Sequence, residues 1–203
     1  MMEFFSGQFI VAAAFAVSGA GIAFAEFFYL LRAHLEGRAV RYMRVLIFGM
    51  IGAHIFFAAG KSVLQYFVWT HNRVGVFLLP PHRSASYFLW YSGTRFWLYA
   101  ALSIAAAVAL LAFLRVIARL FPGGFERGET EFIFVAALAV GFPQALALVA
   151  LSCSIALAIA AGRAVARSRG PICFGDAFAL AVPVVFVFGS RLIALLHLSG
   201  LRV

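Results

Sequence analysis

Apolar runs about as long as a bilayer is thick recur along this 203-residue chain, at residues 8–31, 45–69, 96–114, 132–161 and 177–198. A helix crosses the hydrocarbon layer in about 20 mainly apolar residues. Lipid offers no hydrogen bonds, so a crossing segment must satisfy its own amide groups, and a helix does this internally. The expected fold is all-α: a polytopic transmembrane helix bundle of about 5–6 membrane segments, forming one domain over residues 1–203. Composition agrees, with 65% hydrophobic and 11% charged residues. Soluble domains are about half apolar and a quarter charged, and a domain of this size cannot hide such an excess in one core. A soluble globular protein, a disordered chain and a disulfide scaffold are excluded on these grounds.

The polar punctuation suggests how the runs are threaded. The flank before residue 8 carries Glu3 and no Lys or Arg, so the basic start of a signal peptide is missing. Ala23-Phe24-Ala25 resembles a cleavage site, yet the apolar run passes through it, and a retained helix is expected. Arginines gather at 32, 38, 41 and 44, at 115 and 119, and at 163, 167 and 169. Such clusters favour the cytoplasmic face. They share one face only if residues 132–161 enter and return, with the break at Gly141-Phe142-Pro143. Pro80-Pro81 stops a helix, so residues 70–95 read as a loop or a re-entrant segment. Tyr87 to Tyr99, with Trp90 and Trp97, reads as an interfacial aromatic belt.

The net charge of +9 would suggest nucleic acid in a soluble domain. Here it is explained by orientation-setting loops, and no nucleic-acid partner is expected. Cys153 and Cys173 form no CxxC or Cys/His cluster, so two free thiols are expected and no metal. His54 lies mid-helix in an apolar run. It is the one candidate for cofactor binding, as a haem ligand, but haem would need a second histidine facing it, and His34 and His197 lie near helix ends. A hydrogen bond from His54 to a neighbouring helix is the simpler expectation, and no cofactor is assigned. Lys61 and Arg191 lie within apolar runs, where long cationic stems reach for the interface. Asp176 follows Gly175 at a helix start and reads as an N-cap. Gly49, Gly52 and Ala53 give one helix a small-residue face. The chain has no P-loop, dinucleotide fingerprint, HExxH or GxSxG.

One resemblance spans roughly residues 96–197. Gly128-Glu129 is followed by Val135-Ala136-Ala137-Leu138 and Gly141-Phe142, then by the basic stretch Arg163 to Arg169. Pro171-Ile172-Cys173-Phe174-Gly175 comes next, continued by Ala179-Leu180 and Phe188-Gly189. This order resembles the prepilin peptidases, intramembrane aspartyl proteases that trim type IV pilin leaders. Their Gly-x-Gly-Asp signature precedes a short Ala/Leu-rich helix, a basic loop and a Pro-Ile-Pro-Phe-Gly segment. The resemblance implies a bacterial inner (cytoplasmic) membrane location and a link to pilus or secretion machinery. The chain departs from it at the reactive groups. Glu129 stands for the second aspartate, and Glu126 for the first glycine. Trp69-Thr70-His71-Asn72-Arg73 holds no carboxylate where the first aspartate is expected, and the zinc-binding cysteine pairs are absent. Such proteolysis needs two carboxyl groups sharing one proton. Glu129 with Glu131, or Glu129 with Glu26, are the catalytic candidates if the chain is active. Residues two apart face different sides of a helix, however, and acids near a helix N-terminus have a simpler explanation.

The sequence therefore favours a non-catalytic integral membrane component whose partners are the lipid bilayer and other membrane protein subunits. Two alternatives stand: a prepilin-peptidase-like protease with an altered carboxylate pair, and a small transporter or haem/redox subunit using His54, Lys61 and Arg191.

Overall fold

The computed structural model describes residues 2–32, 38–120, 125–126, 128–166, 174–197 and 200, with side chains described from residue 8 onward. Its helices are α1 (Met2–Leu30), α2 (Arg38–His71), α3 (Ala85–Ser92), α4 (Leu98–Leu120), α5 (Glu129–Val140), α6 (Gln144–Val165) and α7 (Phe174–Leu195). A 3-10 turn, Gly75–Leu78, follows α2, and a π-helical turn, Gly93–Trp97, joins α3 to α4 without a break. No strand occurs among the described residues. Gln8–Leu30, Arg38–His71, Ala85–Leu120, Gln144–Val165 and Phe174–Leu195 are long and apolar enough to cross a membrane. The chain is an integral membrane protein with an all-α bundle, and its apolar helix faces contact lipid.

The bundle is built around α5. At 12 residues this helix is about 18 Å long, too short to span a 30 Å layer. All of its residues from Phe132 to Val140 are buried, and it packs against α1, α2, α4, α6 and α7. The sequence shows why: from Phe132 to Val140 no residue is polar, so every face of the helix seeks cover.

The hairpin expected at Gly141-Phe142-Pro143 is present. Gly141 has φ +75°, and a Cβ there would lie 2.8 Å from the Tyr99 hydroxyl, so glycine serves both the turn and the close approach. Gly175 at the start of α7 lies against Glu129 at the start of α5, while Gly189 late in α7 lies against Gln144 at the start of α6. Thus α7 runs parallel to α5, and α6 returns antiparallel to both. Val40, Arg44, Ala118, Glu126 and Glu131 line one hollow, which brings the start of α2, the end of α4 and the start of α5 together. The arginines at 32, 38, 41, 44, 115, 119 and 163 therefore share one end of the bundle, as the hairpin requires.

In the middle of the chain, residues 72–84 form a connection at the opposite end, and the helix expected at 96–114 begins at Ala85, within the stretch read as a loop or a re-entrant segment. The aromatic belt explains the longer helix. Trp69 packs on Tyr87, Phe88 and Tyr91 with ring centroids 6.3, 5.5 and 4.9 Å away, tying α3 to the end of α2. Trp90, on the other side, is 70% exposed, as an interfacial residue should be.

Candidate functional site: a carboxyl cluster at the arginine-rich end

Three helices supply the cluster. Along α1, Ile22, Ala25 and Tyr29 are buried at helical spacing, so this stripe faces the core. Tyr29 stacks on Phe132 of α5 at 4.5 Å, which aims its hydroxyl at the start of α5. There Gly128, with φ +88°, begins the helix and places Glu129 in its first turn. From α7, Gly175 lets the backbone approach so closely that a Cβ would collide with the Tyr29 hydroxyl and lie 2.9 Å from Glu129 Cγ. Asp176 follows.

Glu129 is fully buried. Its Oε1 accepts hydrogen bonds from the Tyr29 hydroxyl at 3.3 Å and the Gly175 N–H at 3.3 Å. Its Oε2 accepts from the Glu126 N–H at 3.1 Å. The Tyr29 hydroxyl also lies 2.9 Å from Asp176 Oδ1, so one phenol stands within reach of two carboxyl groups. Arg32 closes the cluster. It reaches Glu126 Oε2 at 3.0 Å and Asp176 Oδ1 at 3.5 Å, and donates to the Tyr29 carbonyl at 3.1 Å at the end of α1. Its guanidinium lies 3.9 Å from the centre of the Tyr29 ring. Burial pushes the Glu129 carboxyl above the ordinary carboxylate range, against the hydrogen bonds from Glu126, Gly175 and Tyr29, which favour its charged form.

The sequence candidates are redistributed. Glu129 and Glu131 lie in the first turn of α5 as expected. Glu131 turns to Arg44 at 3.8 Å and accepts from Thr130 at 2.9 Å. No hydrogen bond joins Glu129 to Glu131 or Glu26 among the described residues, and Glu26 Oε1 is buried without a hydrogen-bond partner there. Two other carboxyl groups lie near Glu129: that of Glu126, and that of Asp176, whose side chain bonds across to α1 and shares the Tyr29 hydroxyl. Sequence reasoning missed Tyr29, Arg32 and Asp176 as a unit. The one available signal was the three-residue spacing of Tyr29 and Arg32, which sets Arg32 one turn past Tyr29, just beyond the end of α1.

His54 lines a separate cavity, with its Nε2 2.8 Å from the Leu138 carbonyl. A carbonyl only accepts, so Nε2 carries the proton and Nδ1 is the nitrogen left over. His197 is exposed beyond α7, and His34 lies outside the described residues, as do Glu36, Cys173 and most of Pro171 to Gly175. No group of three or more metal-binding side chains occurs among the described residues. Cys153 is free and exposed on α6. Compared with protein-family models, curated proteins and solved structures, the chain matches none.

Proposed function

We propose that this chain is a non-catalytic integral membrane component, a subunit of a larger membrane assembly, in which the carboxyl cluster is a clasp joining α1, α5 and α7. The observation that carries this reading is the Tyr29 hydroxyl lying within reach of both Glu129 and Asp176. Peptide hydrolysis by a carboxyl pair needs a water between the two acids. Here a side chain takes that place, and Arg32 holds Asp176 in an ion pair. Gly49 and Gly52 have open space where a Cβ would stand, and Phe48 and Phe56 beside them are more than 70% exposed. This supports a face on α2 for another subunit's helix. The positive-inside bias assigns the arginine-rich end to the cytoplasm and the amino terminus to the outside. The prepilin-peptidase resemblance points to pilus or secretion machinery in a bacterial inner membrane.

A second reading, an intramembrane protease with an altered pair, is favoured by the convergence of the two carboxyl groups on one oxygen. It would use Glu129 and Asp176 after Tyr29 turned away. One experiment separates the two. The wild-type chain, Glu129→Gln and Asp176→Asn are each expressed with a leader-bearing pilin in membranes, and leader removal is followed. No cleavage by the wild type supports the clasp, whereas cleavage that both substitutions abolish establishes the protease. The subunit role is checked by crosslinking in intact membranes and purification in mild detergent; a lone monomer throughout rejects it.

A further inference from the structure

At the other end of α5 lies a cavity of about 500 Å³, within the range of about 300–1,000 Å³ typical of small-molecule sites. Its walls follow from helical periodicity. Val11, Ala14, Phe15 and Ser18 form one stripe of α1, and His54, Phe57, Ala58 and Lys61 form one stripe of α2. The end of α5, Gln144 of α6 and Gly189 of α7 close the far side. We propose that this cavity binds an anionic lipid, with its acidic headgroup on Lys61 and its acyl chain along the aromatic walls.

Three observations carry the assignment. Lys61 is half-buried, lines the cavity and has no acidic partner among the described residues, and no lining residue is acidic. A cation so placed attracts an acidic headgroup. The second observation is the Oε1 of Gln144, buried in this lining without a hydrogen-bond partner among the described residues. An amide oxygen only accepts, so it matches a glycerol hydroxyl of a headgroup, while the acidic group itself lies on Lys61. The third is depth. At 1.5 Å per residue, Lys61 stands about 26 Å along α2 from Arg44, near the far edge of a hydrocarbon layer about 30 Å thick. That is where a headgroup of the opposite leaflet lies. Val11, Phe15 and Val187 at the rim are each more than half exposed, so the cavity opens toward acyl chains. A water-soluble anion would match Lys61 but leave these walls unused. Arg191 is exposed and absent from the lining.

The test is native mass spectrometry of the full chain in a neutral detergent, titrated with phosphatidylglycerol, oleate or phosphatidylcholine. Binding of one anionic lipid per chain, at least tenfold tighter than phosphatidylcholine, is expected. Phosphatidylglycerol and oleate distinguish a phosphate head from a carboxylate head. Lys61→Met should lose the preference tenfold or more, Lys61→Arg should restore it, and Arg191→Met should leave it intact. Gln144→Leu, read alongside, weakens binding of phosphatidylglycerol and serves if Lys61→Met fails to fold. Equal loss in Lys61→Met and Arg191→Met means non-specific annular lipid and overturns the proposal. So does a wild-type chain that does not distinguish anionic from zwitterionic lipid.

Discussion

Gly175 shows how one missing methyl group positions the cluster. A Cβ there would collide with the Tyr29 hydroxyl and press on Glu129, and both are fully buried in the folded bundle. Gly175→Ala should therefore destabilise the protein by about 1–3 kcal/mol, as overpacking does, read as a lower midpoint of thermal unfolding in detergent. Glu129 makes a second prediction. Burial raises its carboxyl pKa above the ordinary 4.5, so in the window above 4.5 the folded state holds more protons than the unfolded one. Its contribution is fully present below that value and is lost as pH rises through the folded pKa. Glu129→Gln should flatten the decline of unfolding midpoint with pH above 4.5. An unchanged slope would show that Glu129 titrates no differently after folding.

Among the elements, α5 depends most on its neighbours. A short helix that ends inside the bundle needs protein partners for the amide groups of its last turn. The Gly141 N–H returns to the Ala137 carbonyl, and the Phe142 N–H is accepted by Ser103 Oγ at 3.0 Å. His54 donates to the Leu138 carbonyl at 2.8 Å. His54→Phe leaves that carbonyl buried and unpaired, which should cost about 1–3 kcal/mol, while His54→Gln should recover part of the loss by donating from its amide. Equal unfolding midpoints for wild type and His54→Phe would contradict this role. The 36-residue helix Ala85–Leu120 has a different origin. Its first turns owe their place to Trp69, through ring contacts that span 18 or more positions in the chain.

For the molecule as a whole, the arrangement of ends makes a topological prediction. Residues 70–84 lie at the end opposite the arginine clusters. With Cys153 and Cys173 replaced by Ser, a cysteine at exposed Arg83 should react with an impermeant maleimide added to intact cells. One at exposed Arg119 should react only after the membrane is opened. The reverse pattern would invert the orientation drawn from the positive-inside bias.

Solvent preference was legible from residue order alone. Runs of about 20 apolar residues read as helices in lipid, so five spans, the bundle class and the break at Gly141-Phe142-Pro143 could all be read locally. The charge clusters added which ends lie together. The pairing of acids could not be read in this way. Glu129 and Asp176 are separated by two helices, and what joins them is a tyrosine hydroxyl from α1, 100 positions before Glu129. Whether a carboxyl group is buried, hydrogen-bonded or ion-paired depends on which helix faces pack, and sequence spacing does not encode that beyond one helix. The same holds for Lys61: the apolar run around it was plain, but only the packing of α1 and α5 against α2, with α7 against α1 and α5, made its surroundings a cavity.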